Sequence, residues 1–211
     1  MKRLIKYIML IAFVAGISVS CDEDTTGDIS RVTYFPEFNI QGEDPYFIDM
    51  NSGVTSYEDP GVIVTEGGEE IDYQMQESVD VTNAGYYTVT YSATNKDGYS
   101  ASDQRTVIVG TEADKTTTLT ATGQAVSSHG YAYDVTIEKV GIGKFSISDI
   151  NGFFSIPIPG EVGILNSQVV TGSASYGMYK DATLDLANNQ LIIEWTYYSY
   201  SGTTTIPVSF E

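Results

Sequence analysis

Apolar and polar side chains alternate without a break from Tyr86 to Ala93: Tyr87, Val89, Tyr91 and Ala93 fall on one side, Tyr86, Thr88, Thr90 and Ser92 on the other. A period of two marks a half-buried β-strand, because successive side chains of an extended chain point to opposite faces. Asn95-Lys96-Asp97-Gly98 follows, where Asn and Asp can bond their own backbone and Gly admits positive φ. The chain therefore turns there, and Thr106-Val107-Ile108-Val109 returns as the partner strand of a β-hairpin.

The same rhythm continues on both sides of the hairpin. Upstream, Val32 to Phe35 reads as a first strand and Tyr46 to Met50 as a second, with a turn at Asn51-Ser52-Gly53. Asp59-Pro60-Gly61 turns the chain into Val62 to Thr65, and Gly67-Gly68 precedes strands at Ile71 to Met75 and Ser78 to Val81. Seven or so short strands separated by turn signals predict a β-sandwich. Thr111 to Lys115 is a polar break and is read as a domain boundary. Beyond it, strands are expected at Thr117 to Thr122, Tyr131 to Lys139, Lys144 to Asp149, Gln168 to Thr171, Ala182 to Leu186, Leu191 to Tyr197 and Thr205 to Phe210. Asn151-Gly152 is a hairpin dipeptide. Pro207 cannot donate to a ladder, which predicts an edge strand or a bulge. This half fits an antiparallel sandwich or a small barrel. No apolar stripe of helical period occurs past the N-terminus, so the fold class is all-β, with a second antiparallel β domain after the first sandwich.

The first twenty residues depart from this rhythm. Lys2, Arg3 and Lys6 precede a short apolar run, Tyr7 to Val19, which is too short for a comfortable membrane span of about 20 residues and reads as a signal peptide. Cys21, the sole cysteine, follows directly, and an unpaired cysteine is unusual in an exported chain. Ser18-Val19-Ser20-Cys21 resembles a bacterial lipoprotein box, which implies a lipid anchor on Cys21. The acidic stretch from Asp22 to Asp28 cannot bury enough apolar surface to fold and is read as a tether over residues 21–30. It also resembles the acidic export signal of surface-exposed Bacteroidetes lipoproteins. An EF-hand reading of Asp22-x-Asp24-x-x-Gly27 lacks the further oxygen ligands and the Glu at position twelve.

Charge narrows the partners. The chain has 28 acidic and 10 basic residues, a formal charge of -18. Removing residues 1–20 takes away three basic residues and no acidic one, leaving 7 against 28, or -21. Such a chain repels nucleic acid and anionic membrane surfaces.

Four blocks carry a further resemblance: Tyr57 to Val62, Asn83 to Tyr91, Asn95-Lys96-Asp97-Gly98 and Arg105 to Val109. In order and spacing they resemble the bacterial immunoglobulin-like domain first described in insecticidal crystal toxins, assigned here to residues 31–110. The resemblance implies a sandwich used as spacer or recognition module, without catalytic residues. Residues 111–211, through Tyr131 to Lys139, Phe145 to Gly152 and Ile192 to Tyr197, resemble the C-terminal domain that accompanies this module in Bacteroidetes lipoproteins. The setting so implied is polysaccharide capture at the outer membrane, beside a TonB-dependent transporter.

Candidate chemistry is sparse. His129 is the only histidine, flanked by Ser127 and Ser128, and neighbouring serines do not make a triad, whose members converge from separate segments. No HExxH, Walker loop or GxSxG is present, so no enzyme, cofactor or metal is expected, although paired carboxylates could be judged only by geometry. The aromatic cluster Trp195, Tyr197, Tyr198 and Tyr200 is the best candidate for recognition, because sugars stack apolar C–H faces on aromatic rings while their hydroxyls seek polar neighbours. Trp195 and Tyr197 share the face of Leu191 and Ile193 and read as core. Tyr198 and Tyr200 fall on the opposite face toward the hairpin tip, open to surface packing or ligand contact, and Tyr176 and Tyr179 in a Gly- and Ser-rich loop have a lesser claim. The expectation is a surface lipoprotein that binds glycan without catalysis; a spacer or adhesive protein is the alternative.

Overall fold

The computed structural model describes residues 32–152 and 156–211. The signal segment, Cys21 and the acidic tether lie outside the described residues. Residues 35–211 form one compact unit. It is almost wholly β, as the alternation predicts.

The first half contains seven strands: β1 (Glu37–Ile40), β2 (Tyr46–Asp49), β3 (Val62–Glu66), β4 (Glu69–Glu70), β5 (Gln74–Gln76), β6 (Gly85–Thr94) and β7 (Ser100–Gly110). They form two sheets, one ordered β1-β3-β4 and the other β2-β7-β6-β5. The predicted hairpin is β6–β7, paired in unbroken register from Gly85 opposite Val109 to Thr94 opposite Ser100. Val89, Tyr91 and Ala93 are buried between the sheets with Val64, Val107 and Val109, while Tyr87 packs at the margin.

Two predicted strands are corrected. Val32 to Phe35 is irregular, with Val32, Tyr34 and Phe35 exposed; Pro36 removes a donor, and pairing begins only at Glu37. Residues 78–80 are irregular and lead into a turn at residues 81 and 82, where the Asp80 carboxylate accepts the Thr82 N–H at 2.9 Å and the Thr82 hydroxyl at 2.6 Å, an Asx arrangement that competes with a ladder. Of Ile71 to Met75, only the end joins β5.

A buried guanidinium ties the loops of this half to the hairpin. Arg105 on β7 is fully buried, and its nitrogens donate to the Tyr91 hydroxyl at 3.0 Å and to the carbonyls of Glu43 at 2.7 Å, Gly61 at 3.2 Å and Gln41. Asp59 Oδ2 lies 3.5 Å from Arg105 Nε and also accepts the hydroxyls of Tyr57 and of Tyr91, the latter at 2.6 Å. Burial alone would raise the Asp59 carboxyl, but the bonds from Tyr57, Tyr91 and the Gly61 N–H, with the Arg105 charge, hold it below the usual aspartate value.

The second half has ten strands: β8 (Leu119–Ala121), β9 (Ala125–Ser127), β10 (Ala132–Tyr133), β11 (Ile137–Gly141), β12 (Lys144–Ile147), β13 (Gly160–Leu165), β14 (Gln168–Ala174), β15 (Tyr179–Asp185), β16 (Gln190–Tyr197) and β17 (Tyr200–Phe210). One sheet runs β10-β9-β17-β16-β15, with β8 also paired to β17; the other runs β11-β12-β13-β14. Phe145, Ile147, Val162, Leu191, Ile193 and Trp195 fill the space between them, and no ladder among the described residues closes the two sheets into a barrel. The arrangement is a sandwich.

Three details differ from the expectation. Tyr131 to Lys139 is split, because β10 pairs with β9 in one sheet and β11 with β12 in the other, yet Tyr133, Val135 and Ile137 still turn to the same core. Asn151-Gly152 is not a two-residue turn; it lies in the long connection from β12 to β13, where Asp149 Oδ1 accepts the N–H groups of Asn151 and Ile158 at 3.0 and 3.1 Å. Pro207 lies within a paired strand, opposite Gln190, at the point where the other neighbour of β17 changes from β9 to β8. Its missing N–H falls in that gap, while its carbonyl accepts from Thr122 at 2.9 Å.

The polar segment after Gly110 is a single 3-10 turn, Glu112–Lys115, with Asp114 buried. The Asp114 carboxylate accepts the Thr111 N–H at 2.6 Å and the Asn166 N–H at 3.0 Å, so it joins this turn to the β13–β14 connection. Nearby, Tyr86 of β6 donates to the Ile142 carbonyl at 2.8 Å. A Cβ at Gly163 would stand 2.6 Å from the Tyr86 ring, so glycine is needed for that close approach.

Candidate functional site

The site is assembled by the β16–β17 hairpin and the segment before β15. Tyr197 pairs directly with Tyr200, which leaves Tyr198-Ser199 as a two-residue connection. Primed turns of this length require positive φ at the first central residue and favour Gly, Asn or Asp there. Here that residue is Tyr198, at φ 53°, with 90 % of its surface exposed. Tyr176 is a second case, at φ 60° and 74 % exposed, followed directly by Gly177 at φ 66°. A left-handed backbone costs an L-residue about 1–2 kcal/mol.

Both tyrosines converge on Tyr197. The Tyr197 ring lies 4.6 Å from that of Tyr198 and 6.5 Å from that of Tyr176, each in an edge-to-face arrangement. Partial burial, together with the Tyr198 and Tyr176 phenols, raises the Tyr197 hydroxyl above its ordinary pKa. Tyr200 is 52 % exposed. It stands directly across from Tyr197, and directly paired residues share a face, so Tyr200 lies on the side of Trp195 and Tyr197 and not opposite them as alternation alone suggests. Tyr179 is half-buried against the core, with its ring over Gly172, and stands apart from the exposed group.

Two residue pairs further from the tip, on the same face, Trp195 stands opposite Gly202. A Cβ on Gly202 would come within 2.7 Å of the Trp195 ring and 3.0 Å of His129, so the glycine opens the space in which the exposed His129 stacks on Trp195, ring centroids 5.5 Å apart. Trp195 itself is buried, as its face predicted. Among the described residues its Nε1–H and the buried Thr196 hydroxyl have no hydrogen-bond partner, a departure from the usual satisfaction of buried polar groups. Sequence reasoning missed the part Tyr197 plays, because a strand-face pattern does not register that a ring at the end of a core also borders the surface.

Among the described residues no group of three or more His, Cys, Asp or Glu could hold a metal ion, and no helix is long and apolar enough to cross a membrane.

Residues 38–109 match the family of bacterial surface protein, Ig-like domain. That segment spans β1 to β7, so the first sandwich is similar to a bacterial surface immunoglobulin-like domain. No curated protein matches the chain. Among solved structures, a lipoprotein from Bacteroides thetaiotaomicron is 21 % identical, with a TM-score of 0.37, over 83 % of this chain and all of the other.

Proposed function

We propose that this chain is a surface lipoprotein, anchored through Cys21, that holds glycan without catalysis on the tyrosine platform of its second sandwich, as an accessory of an outer-membrane polysaccharide-uptake system. The observation that carries this reading is the pair of exposed tyrosines, Tyr176 and Tyr198, both in left-handed backbone and both edging onto Tyr197. Strain of this kind persists where the surrounding structure sustains it and concentrates at functional sites. Tyrosines around a tip give the mixed apolar and hydroxyl surface that a sugar ring needs. The similarity to a surface immunoglobulin-like domain supports the cellular setting. The crystal-toxin kinship of the first sandwich, the companion status of the second and the partnership with a TonB-dependent transporter belong to this proposal.

The adhesive or spacer reading draws on one observation. β5 is an edge strand with exposed Met75, flanked by exposed Tyr73, and an open edge can pair with another chain. A glycan-array screen of a protein spanning residues 32–211 separates the two. Retention of a defined glycan, lost on Tyr198→Ala, supports the platform; no retention across a broad array favours docking at the sheet edge.

A further inference from the structure

The charges of the described residues bear on which glycans the tyrosine platform can hold. Four of the ten basic residues, Lys2, Arg3, Lys6 and Arg31, lie outside the described residues, which leaves six. Each of the six is engaged. Arg105 is sealed in the first sandwich beside Asp59. Lys96 pairs with Glu66 at 3.4 Å, Lys115 with Glu112 at 2.8 Å, Lys144 with Glu161 at 3.1 Å and Lys180 with Glu194 at 3.0 Å. Lys139 donates to the carbonyls of Lys115 and Thr117, both at 2.8 Å. Lys180, the cation nearest in sequence to the tyrosines, is thus matched by a carboxylate on the adjacent strand.

Recognition of a uronate, sulfate or phosphate ordinarily relies on an available guanidinium or ammonium that repays desolvation of the anion. The platform supplies phenols, hydroxyls and ring faces instead, within a chain whose formal charge is -18. Building on the glycan reading above, we infer that the ligand class is an uncharged polysaccharide, and that the field of the chain itself excludes acidic ones. The exclusion is electrostatic, so it weakens with salt as the screening length falls from about 30 Å at 0.01 M to about 3 Å at 1 M.

The test compares each polymer with its own charged form. Amylopectin, galactomannan and xyloglucan are offered to the protein spanning residues 32–211 at pH 8, beside the same polymers with their primary hydroxyls oxidised to carboxylates. Whichever neutral polymer is retained, its oxidised form is expected to bind at least about tenfold more weakly at 10 mM salt and to recover to within about threefold at 1 M. Equal or tighter binding of the oxidised form at low salt overturns the inference and leaves the platform standing. A loss that salt does not relieve also overturns it, because the lost contact is then the hydroxyl and not the charge. Failure to retain any polymer in either form overturns the glycan reading itself.

Discussion

Tyr91 donates its phenolic hydrogen to Asp59 at 2.6 Å across 32 residues of sequence, at the place where Arg105 is fully buried. The bond explains why the hairpin and the loop before β3 are one object: Tyr91 fills the core with its ring and satisfies a charge with its hydroxyl. Its own proton is held more tightly in return, with burial and the bond to Asp59 pushing the phenol up to about 12.

Acid should therefore attack the first sandwich. The folded Asp59 carboxyl titrates below the unfolded aspartate value of about 3.9, so its stabilisation is complete above that pH and is lost as pH falls through the lower folded value. In Asp59→Asn the acid limb should flatten and stability near neutral pH should fall by about 3–5 kcal/mol, the cost of stranding a buried charge. Urea titrations at pH 7 and pH 3 measure both. An unchanged acid limb in the variant would remove Asp59 from the account.

The segment at Thr111 was legible as a break in the alternation, but not as a joint. Asp114→Ala leaves the Thr111 and Asn166 N–H groups without their acceptor, each costing about 1–3 kcal/mol. Calorimetry should show one transition in the wild type and, in the variant, a lower or divided one. A variant that melts as the wild type does would mean that Asp114 contributes nothing to the coupling.

The anchor is tested by Cys21→Ser. The variant should still be exported and should leave the outer-membrane fraction for the soluble one. Wild-type levels in the detergent phase would sink the lipoprotein proposal.

What the sequence made legible was whatever depends on nearest neighbours. The period of two located β6, the last part of β7, nearly all of β16 and the second half of β17, and the Asn-Lys-Asp-Gly cluster located the turn between β6 and β7. What it hid depends on distant partners. Gly160–Leu165 becomes β13 although its glycines and its near-continuous burial give no alternation to read, since it is packed on both faces: Val162 and Ile164 against the core, Gly163 under Tyr86. Pro207 looked like an edge residue because nothing local reveals that two different strands share one side of β17. The candidate site was half legible: Tyr198, Tyr200 and Tyr176 could be named from composition and patterning, but Tyr197 as the ring that joins them could not.

The central claim, that Tyr176 and Tyr198 are kept in strained backbone to hold sugar, is tested most directly by measuring glycan affinity and melting temperature together in Tyr176→Gly/Tyr198→Gly. Glycine relieves the left-handed strain, partly offset by its greater freedom in the unfolded chain, so stability should hold or rise by up to about 1 kcal/mol, a shift of about 2–4 °C or less. Each lost ring removes about 1–3 kcal/mol of stacking by analogy with bases, so affinity should fall about tenfold or more per ring. Intact affinity in this variant, or a loss of affinity accompanied by a falling melting temperature, would contradict the account.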